Sequence, residues 1–164
     1  MKHTSPREEP GRDECLRMNR LCLSANLRKT ERLITRHYDA YLADAGITAV
    51  QLPILAIIAS AAEPTFRLLA RELGLDRSTL SRNLGLLERV GFVQIGPSSG
   101  PKPGQLTLTR KGRETLRRAH KRWNEAHAHL EELLSDDAIA DGLVFLKTLR
   151  RGAREAYDGD ELTN

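Results

Sequence analysis

Leu68–Phe92 reads LLARELGLDRSTLSRNLGLLERVGF, and the pattern of this stretch decides the fold of the chain around it. Two short helices joined by a turn account for it. Thr65 caps the first, Phe66–Leu73, and Gly74 turns the chain. Asp76 caps the second, Arg77–Val90, and Gly91 ends it. Successive helical residues step by about 100°. Leu80, Leu84 and Leu87 therefore share one narrow sector, the side that packs inward. Ser78, Arg82, Gly85 and Arg89 lie roughly opposite, with Arg77 and Ser81 on the flank. Ala70 and Gly74, four apart, imply a close crossing of the two helices, with little room for a larger side chain.

An ordinary amphipathic pair with a solvated basic face would show the same spacing, so the neighbouring segments decide. Phe92–Ile95 and Gln105–Leu108 read as short strands around the tip GPSSGPKPG, a β-hairpin. A helix pair followed by such a hairpin is a winged helix. In that fold the second helix enters the major groove of DNA, about 12 Å wide, and its N-terminal residues reach base edges first. Arginine can donate two bonds to one guanine, and Ser, Thr or Asn can read other edges. Charge agrees. Residues 65–113 carry nine Lys or Arg against three acids, a net +6, while the rest of the chain has 17 against 19 and nets −2. The positive excess lies where a phosphate backbone can use it.

Upstream, residues 13–45 contain neither Pro nor Gly, and Leu23, Leu27, Ile34, Tyr38, Tyr41 and Leu42 recur at helical spacing. One long helix is expected, either continuous or kinked or frayed at its start, and stopped by Gly46. Thr48 with Gln51 forms a capping box for the apolar segment AVQLPILAIIASA, in which Pro53 falls near the first turn. Downstream, Thr109 opens a long helix to about Leu134. Leu116, Ala119, Trp123, Ala126, Leu130 and Leu133 form a narrow seam suited to another long helix, which implies that the unit works in pairs. Ser135 caps a last helix striped by Ile139, Leu143, Leu146 and Leu149. Residues 1–12 are expected to be a disordered tail and 158–164 a loose one. The lobe at 46–108 then carries the reading unit. Residues 13–45 and 109–157 supply more apolar helix than that lobe can cover, which points to a homodimer.

With 164 residues, 40% of them hydrophobic, the chain can bury one core, and at 4% aromatic that core is mostly aliphatic. No apolar run approaches the roughly 20 residues that span a bilayer. The N-terminal MKHTSPREEPGRDE lacks the apolar centre of a secretory signal. A cytoplasmic protein without membrane contact is expected, with its two cysteines as reduced thiols. There is no Gly-rich phosphate loop, nucleophile elbow or metal-ligand spacing, so an enzyme is not expected, nor a cofactor.

The run LARELGLDRSTLSRNLGLLERVGFV, the hairpin after it and LTRKG (Leu108–Gly112) resemble the MarR family of bacterial winged-helix regulators. The resemblance implies a mainly α fold with a small β-hairpin wing, and N- and C-terminal helices that form the dimer interface. It implies a homodimer that binds a pseudo-palindromic double-stranded DNA operator. The family's usual role is repression, relieved by a small-molecule effector or by oxidation. Carried over by position, Arg77, Ser78, Thr79, Ser81 and Arg82 face the groove, with Asn83 beside them. Thr65 and Arg67 suit phosphate contact at a helix start, as do Thr109 and Arg113. Wings of this family usually carry an Asp and Arg pair. Here the tip has no Arg, and Lys102 is its only cation, so specificity is expected to rest on the helix.

The signal has several candidates. His37, Tyr38, Tyr41 and Trp123 lie on the long helices that would line the family's effector cleft. Cys15 and Cys22 are candidate redox residues. Seven apart on a continuous helix they sit about 10 Å apart along the axis, beyond the roughly 7 Å Cα separation a disulfide tolerates. Peroxide-sensing relatives use a cysteine near the start of this helix with two tyrosines. Tyr38 matches one of them, but Ser24 and Ala49 stand at the other two positions. His120, His127 and His129 match no zinc spacing. Two alternatives remain: a thiol-based redox regulator, and a winged helix used for protein–protein contact without an operator.

Overall fold

The computed structural model describes residues 9–97 and 104–161. The tail at 1–8, the wing tip with Lys102 and the last three residues lie outside that range. The elements are α1 (Arg12–Leu21), α2 (Leu23–Leu42), a 3-10 turn (Ala43–Ala45), α3 (Gln51–Ser60), α4 (Phe66–Leu73), α5 (Arg77–Arg89), β1 (Val93–Ile95), β2 (Leu106–Leu108), α6 (Arg110–Leu134) and α7 (Asp136–Glu161). β1 and β2 pair antiparallel, with Val93 opposite Leu108 and Ile95 opposite Leu106. An isolated bridge between Thr65 and Gln105 ties the start of α4 to the hairpin. This is a mainly α winged helix-turn-helix with a hairpin wing, flanked by long helices.

Short-range chemistry sets most boundaries. Thr48 and Gln51 make the reciprocal box, at 3.1 and 3.3 Å. Thr65 accepts the Leu68 N–H at 3.2 Å, Asp76 that of Thr79 at 2.9 Å, and Thr109 that of Gly112 at 2.9 Å. Gly74 ends α4 in the left-handed region at φ 61°, and the Leu75 N–H donates to the Ala70 carbonyl. A Cβ on Gly74 would meet nothing within 4 Å. The glycine is therefore required by its φ, and not by a close crossing of the two helices as the spacing suggested.

Leu80, Leu84 and Leu87 of α5 are buried against Leu69 of α4, Ile54, Leu55 and Ile58 of α3, and the inward residues Val93, Leu106 and Leu108 of the wing. Each such side chain contributes about 1.5–3 kcal/mol. That packing fixes which face of α5 points outward.

Three expectations change. The first long helix breaks at Cys22, whose backbone is extended at ψ 107°. The Asn26 amide donates to the carbonyls of Cys22 and Arg20, at 2.9 and 3.2 Å, and so bridges the break, while the Cys22 carbonyl also keeps its helical bond from the Asn26 N–H at 3.1 Å. The seam of α6 packs mainly on α2 of the same chain, with Ala119 and Ala126 buried and Leu133 left exposed. The last helix continues to Glu161 rather than loosening after Tyr157.

Candidate nucleic-acid interface and effector cleft

Asp76 organises the start of α5. Its carboxylate accepts the Ser78 hydroxyl, the Thr79 N–H at 2.9 Å and the Thr79 hydroxyl at 2.7 Å. The Ser78 bond first, then those of Thr79, hold this carboxyl well below the usual carboxylate range. Asn83 turns its amide back onto the Thr79 carbonyl at 3.0 Å, and both residues are half-buried. Thr79 thus has its hydroxyl committed to the cap and Asn83 its amide N–H to the helix backbone, and Ser78 is shared with Asp76.

Ser81 and Arg82 differ. Both are exposed one turn into α5, and among the described residues no side chain is bonded to either. Arg77 is exposed as well, with its guanidinium 5.9 Å from the centroid of the Phe66 ring. The packing of Leu80, Leu84 and Leu87 fixes this outward set, because it sets the rotation of the helix.

The candidate phosphate contacts divide in the same way. Arg67 is exposed at the start of α4. Thr65 is half-buried and spends its oxygen on the cap. Thr109 is committed inward: its hydroxyl donates to the Gly91 carbonyl at 2.6 Å and accepts from Gly112. Arg113 is exposed but donates to the Leu108 carbonyl at the foot of the wing. The sequence reading missed two cations at the same place. Arg110 has a side chain 91% exposed. Lys111 donates to the Val90 carbonyl at 2.8 Å and lies 5.2 Å from the centroid of the Phe92 ring. Both sit in the first turn of α6, beside Thr109, and that adjacency was the available signal.

A second feature lies between α2, α3 and α6. A cleft of about 510 Å³ is walled by Leu42, Leu52, Pro53, Ala56 and Leu116, with Tyr38, His120 and Trp123 at its polar side. Of the four predicted cleft residues, Tyr38 and Trp123 line it. His37 and Tyr41 do not; they join a neighbouring cluster, where His37 donates to the Ala126 carbonyl at 2.8 Å and the Tyr41 hydroxyl meets His129 at 2.9 Å. Trp123 stacks on His127, with centroids 4.9 Å apart and planes 11° from parallel. The Tyr38 hydroxyl lies 3.1 Å from His127 Nδ1, and His127 Nε2 lies 3.3 Å from Glu131. Tyr38 donating to Nδ1, with Nε2–H turned to the carboxylate, gives every group a partner. Burial, and then the charge of Glu131, push the Tyr38 phenol above its ordinary pKa, so it stays a donor near neutral pH.

Cys15 and Cys22 are both exposed thiols, on α1 and at the break after it. Among the described residues no group of three His, Cys, Asp or Glu could hold a metal ion. No described helix is long and apolar enough to cross a membrane.

Comparison with known proteins supplies context for this geometry. A model of the MarR family matches residues 45–102, which take in α3, the helix pair and the first strand. No curated protein matches the chain in sequence. Among solved structures, the transcriptional repressor CouR bound to p-coumaroyl-CoA is similar over 82% of this chain and 95% of its own, with 27% identity and a TM-score of 0.73. The transcriptional regulator MosR of M. tuberculosis, in complex with DNA, is similar over 81% and 98%, with 28% identity and a TM-score of 0.70. A cysteine-to-serine mutant of MarR from E. coli, complexed with operator DNA, is similar over 80% and 96%, with 26% identity and a TM-score of 0.70.

Proposed function

The chain belongs to the MarR family of winged-helix transcriptional regulators, and from that premise we propose a sequence-specific repressor. It acts as a homodimer on a pseudo-palindromic double-stranded DNA operator, and a small ligand releases it. The observation that carries the reading is the outward face of α5. Arg82 and Ser81 stand exposed at the leading end of a helix whose rotation is set by three buried leucines. Arg67 at the start of α4, and Arg110 and Lys111 beside the far end of α5, where Lys111 bonds the Val90 carbonyl, add positive charge suited to phosphates.

Two further observations support the finer parts. α1 has no buried residue, and α7 exposes Leu143, Val144 and Phe145 together. A second copy of the chain would cover such surface. The cleft has the volume and the mostly apolar wall of a small-molecule site. It joins α2 and α6, on the dimer side, to α3 in the reading lobe. CouR, which is similar in structure, is a repressor that binds p-coumaroyl-CoA.

The direct test is binding to DNA from upstream of the protein's own gene, followed by fluorescence anisotropy across a salt series. Arg82→Ala should weaken specific binding by about 1–3 kcal/mol. An unchanged affinity and an unchanged salt slope would sink the assignment of α5. Retained dimerisation with no DNA binding at all would instead favour a protein-contact role for the winged helix.

A further inference from the structure

We infer that Gly85 is a clearance position of the reading helix: its missing Cβ makes room for the floor of the major groove and sets how deeply α5 seats there. The inference rests on the DNA-binding reading above and adds a residue that determines specificity without donating a bond.

The other glycines near the lobe have reasons inside the chain. Gly46, Gly74, Gly91 and Gly104 hold positive φ, between 61° and 76°. A Cβ on Gly112 would lie 1.9 Å from the Phe92 carbonyl oxygen. Gly85 has neither reason. It is the ninth of the 13 residues of α5, its φ is outside the left-handed region, and a Cβ there would meet nothing within 4 Å. Glycine inside a helix destabilises it relative to alanine, because more backbone freedom is lost on folding. Nothing within the chain offsets that cost.

Position supplies the outside reason. Gly85 lies four residues after Ser81 and three after Arg82, hence beside them on the outward face, and four before the exposed Arg89. When a helix enters the groove on that face, the residue one turn behind its leading contacts is where its backbone next approaches the base pairs. Absence of a side chain is the usual device where backbone and ligand must come close. Gly142 and Gly152 also have open space around them, but they belong to α7 and not to the reading helix.

The experiment compares the full-length wild type with Gly85→Ala and Gly85→Leu. Each is melted, and each is titrated against two duplexes of equal length. One is the sequence that the wild type enriches from a random pool; the other is a random-sequence duplex. Gly85→Ala should melt about 2–4 °C higher and bind the enriched duplex about tenfold more weakly. Its binding to the random duplex, which is mostly electrostatic, should change by less than about twofold. Gly85→Leu should lose more of the enriched duplex. Gly85→Ala binding the enriched duplex as tightly as wild type would overturn the inference. A lowered melting temperature would overturn it too, by showing that the Cβ meets something inside the chain. If the wild type enriches no sequence, the DNA-binding reading itself has failed, which is a separate result.

Discussion

At the scale of single residues, Asp76 decides which polar groups of α5 are left to face DNA. It takes the hydroxyls of Ser78 and Thr79, which leaves the exposed Ser81 and Arg82 as the proposed readers. Ser81→Ala should therefore change specific binding without moving the melting temperature. Thr79→Val should do the reverse, lowering stability and leaving sequence preference intact. Selection from a random pool and thermal melts of both variants check this, and matching effects in the two variants would count against it. Asp76 also makes a prediction for pH. Its pKa is depressed in the folded state, against about 3.9 in the unfolded chain. Between those two values the unfolded state binds more protons, so stability rises with pH there. The contribution is full above about pH 5 and is lost as pH falls below the unfolded value toward the folded one. Asparagine can still cap a helix but cannot titrate. The stability gap between wild type and Asp76→Asn should accordingly narrow from pH 5 to pH 3. A gap constant over that range would remove Asp76 from the acid response.

At the scale of elements, Gly112 joins the long helix to the wing. The start of α6 presses on the Phe92 carbonyl so closely that a Cβ would lie 1.9 Å from its oxygen. Thr109 closes the same joint through Gly91 and Gly112. Gly112→Ala should cost about 1–3 kcal/mol by forcing that joint apart, measured by urea unfolding. A variant as stable as wild type would show that the joint yields freely. What was legible in the sequence divides along this line. Caps at Thr48, Thr65, Asp76 and Thr109 depend on partners three residues away, so the sequence displays them. The buried stripe of α5 follows from periodicity alone. Partners distant in the chain are not displayed. Nothing local says that Thr109 bonds Gly91, that His37 turns away from the cleft to Ala126, or that the α6 seam packs on α2. The break at Cys22 was hidden for a different reason. It falls inside a run with neither Pro nor Gly, so no local breaker marks its position. The wing departed from the family's pattern visibly, but its tip lies outside the described residues.

At the scale of the molecule, one chain leaves its ends uncovered. Every residue of α1 is at least partly exposed, Leu16, Met18 and Leu21 among them, and α7 turns Leu143, Val144 and Phe145 outward. The dimer argument rests on these two helices, since the α6 seam has its partner within the chain. A two-fold pair would place two α5 helices for half-sites about one helical turn apart, roughly 10 bp. Each lobe binding after the first then does so from a high effective concentration, which is worth about 10²–10⁴ in affinity. A Leu143→Glu and Phe145→Glu double variant puts charge into the surface that α7 offers a partner. Because both side chains are more than half exposed in the single chain, the variant should fold, which a wild-type-like melt of the monomer would verify. Sedimentation equilibrium should show a monomer at concentrations where wild type is dimeric. On a two-half-site duplex it should bind about 100-fold more weakly, while on a single half-site the two proteins should be equal. A variant that stays dimeric would move the interface away from α7. A monomer that still bound the full duplex as tightly as wild type would mean that one winged helix suffices.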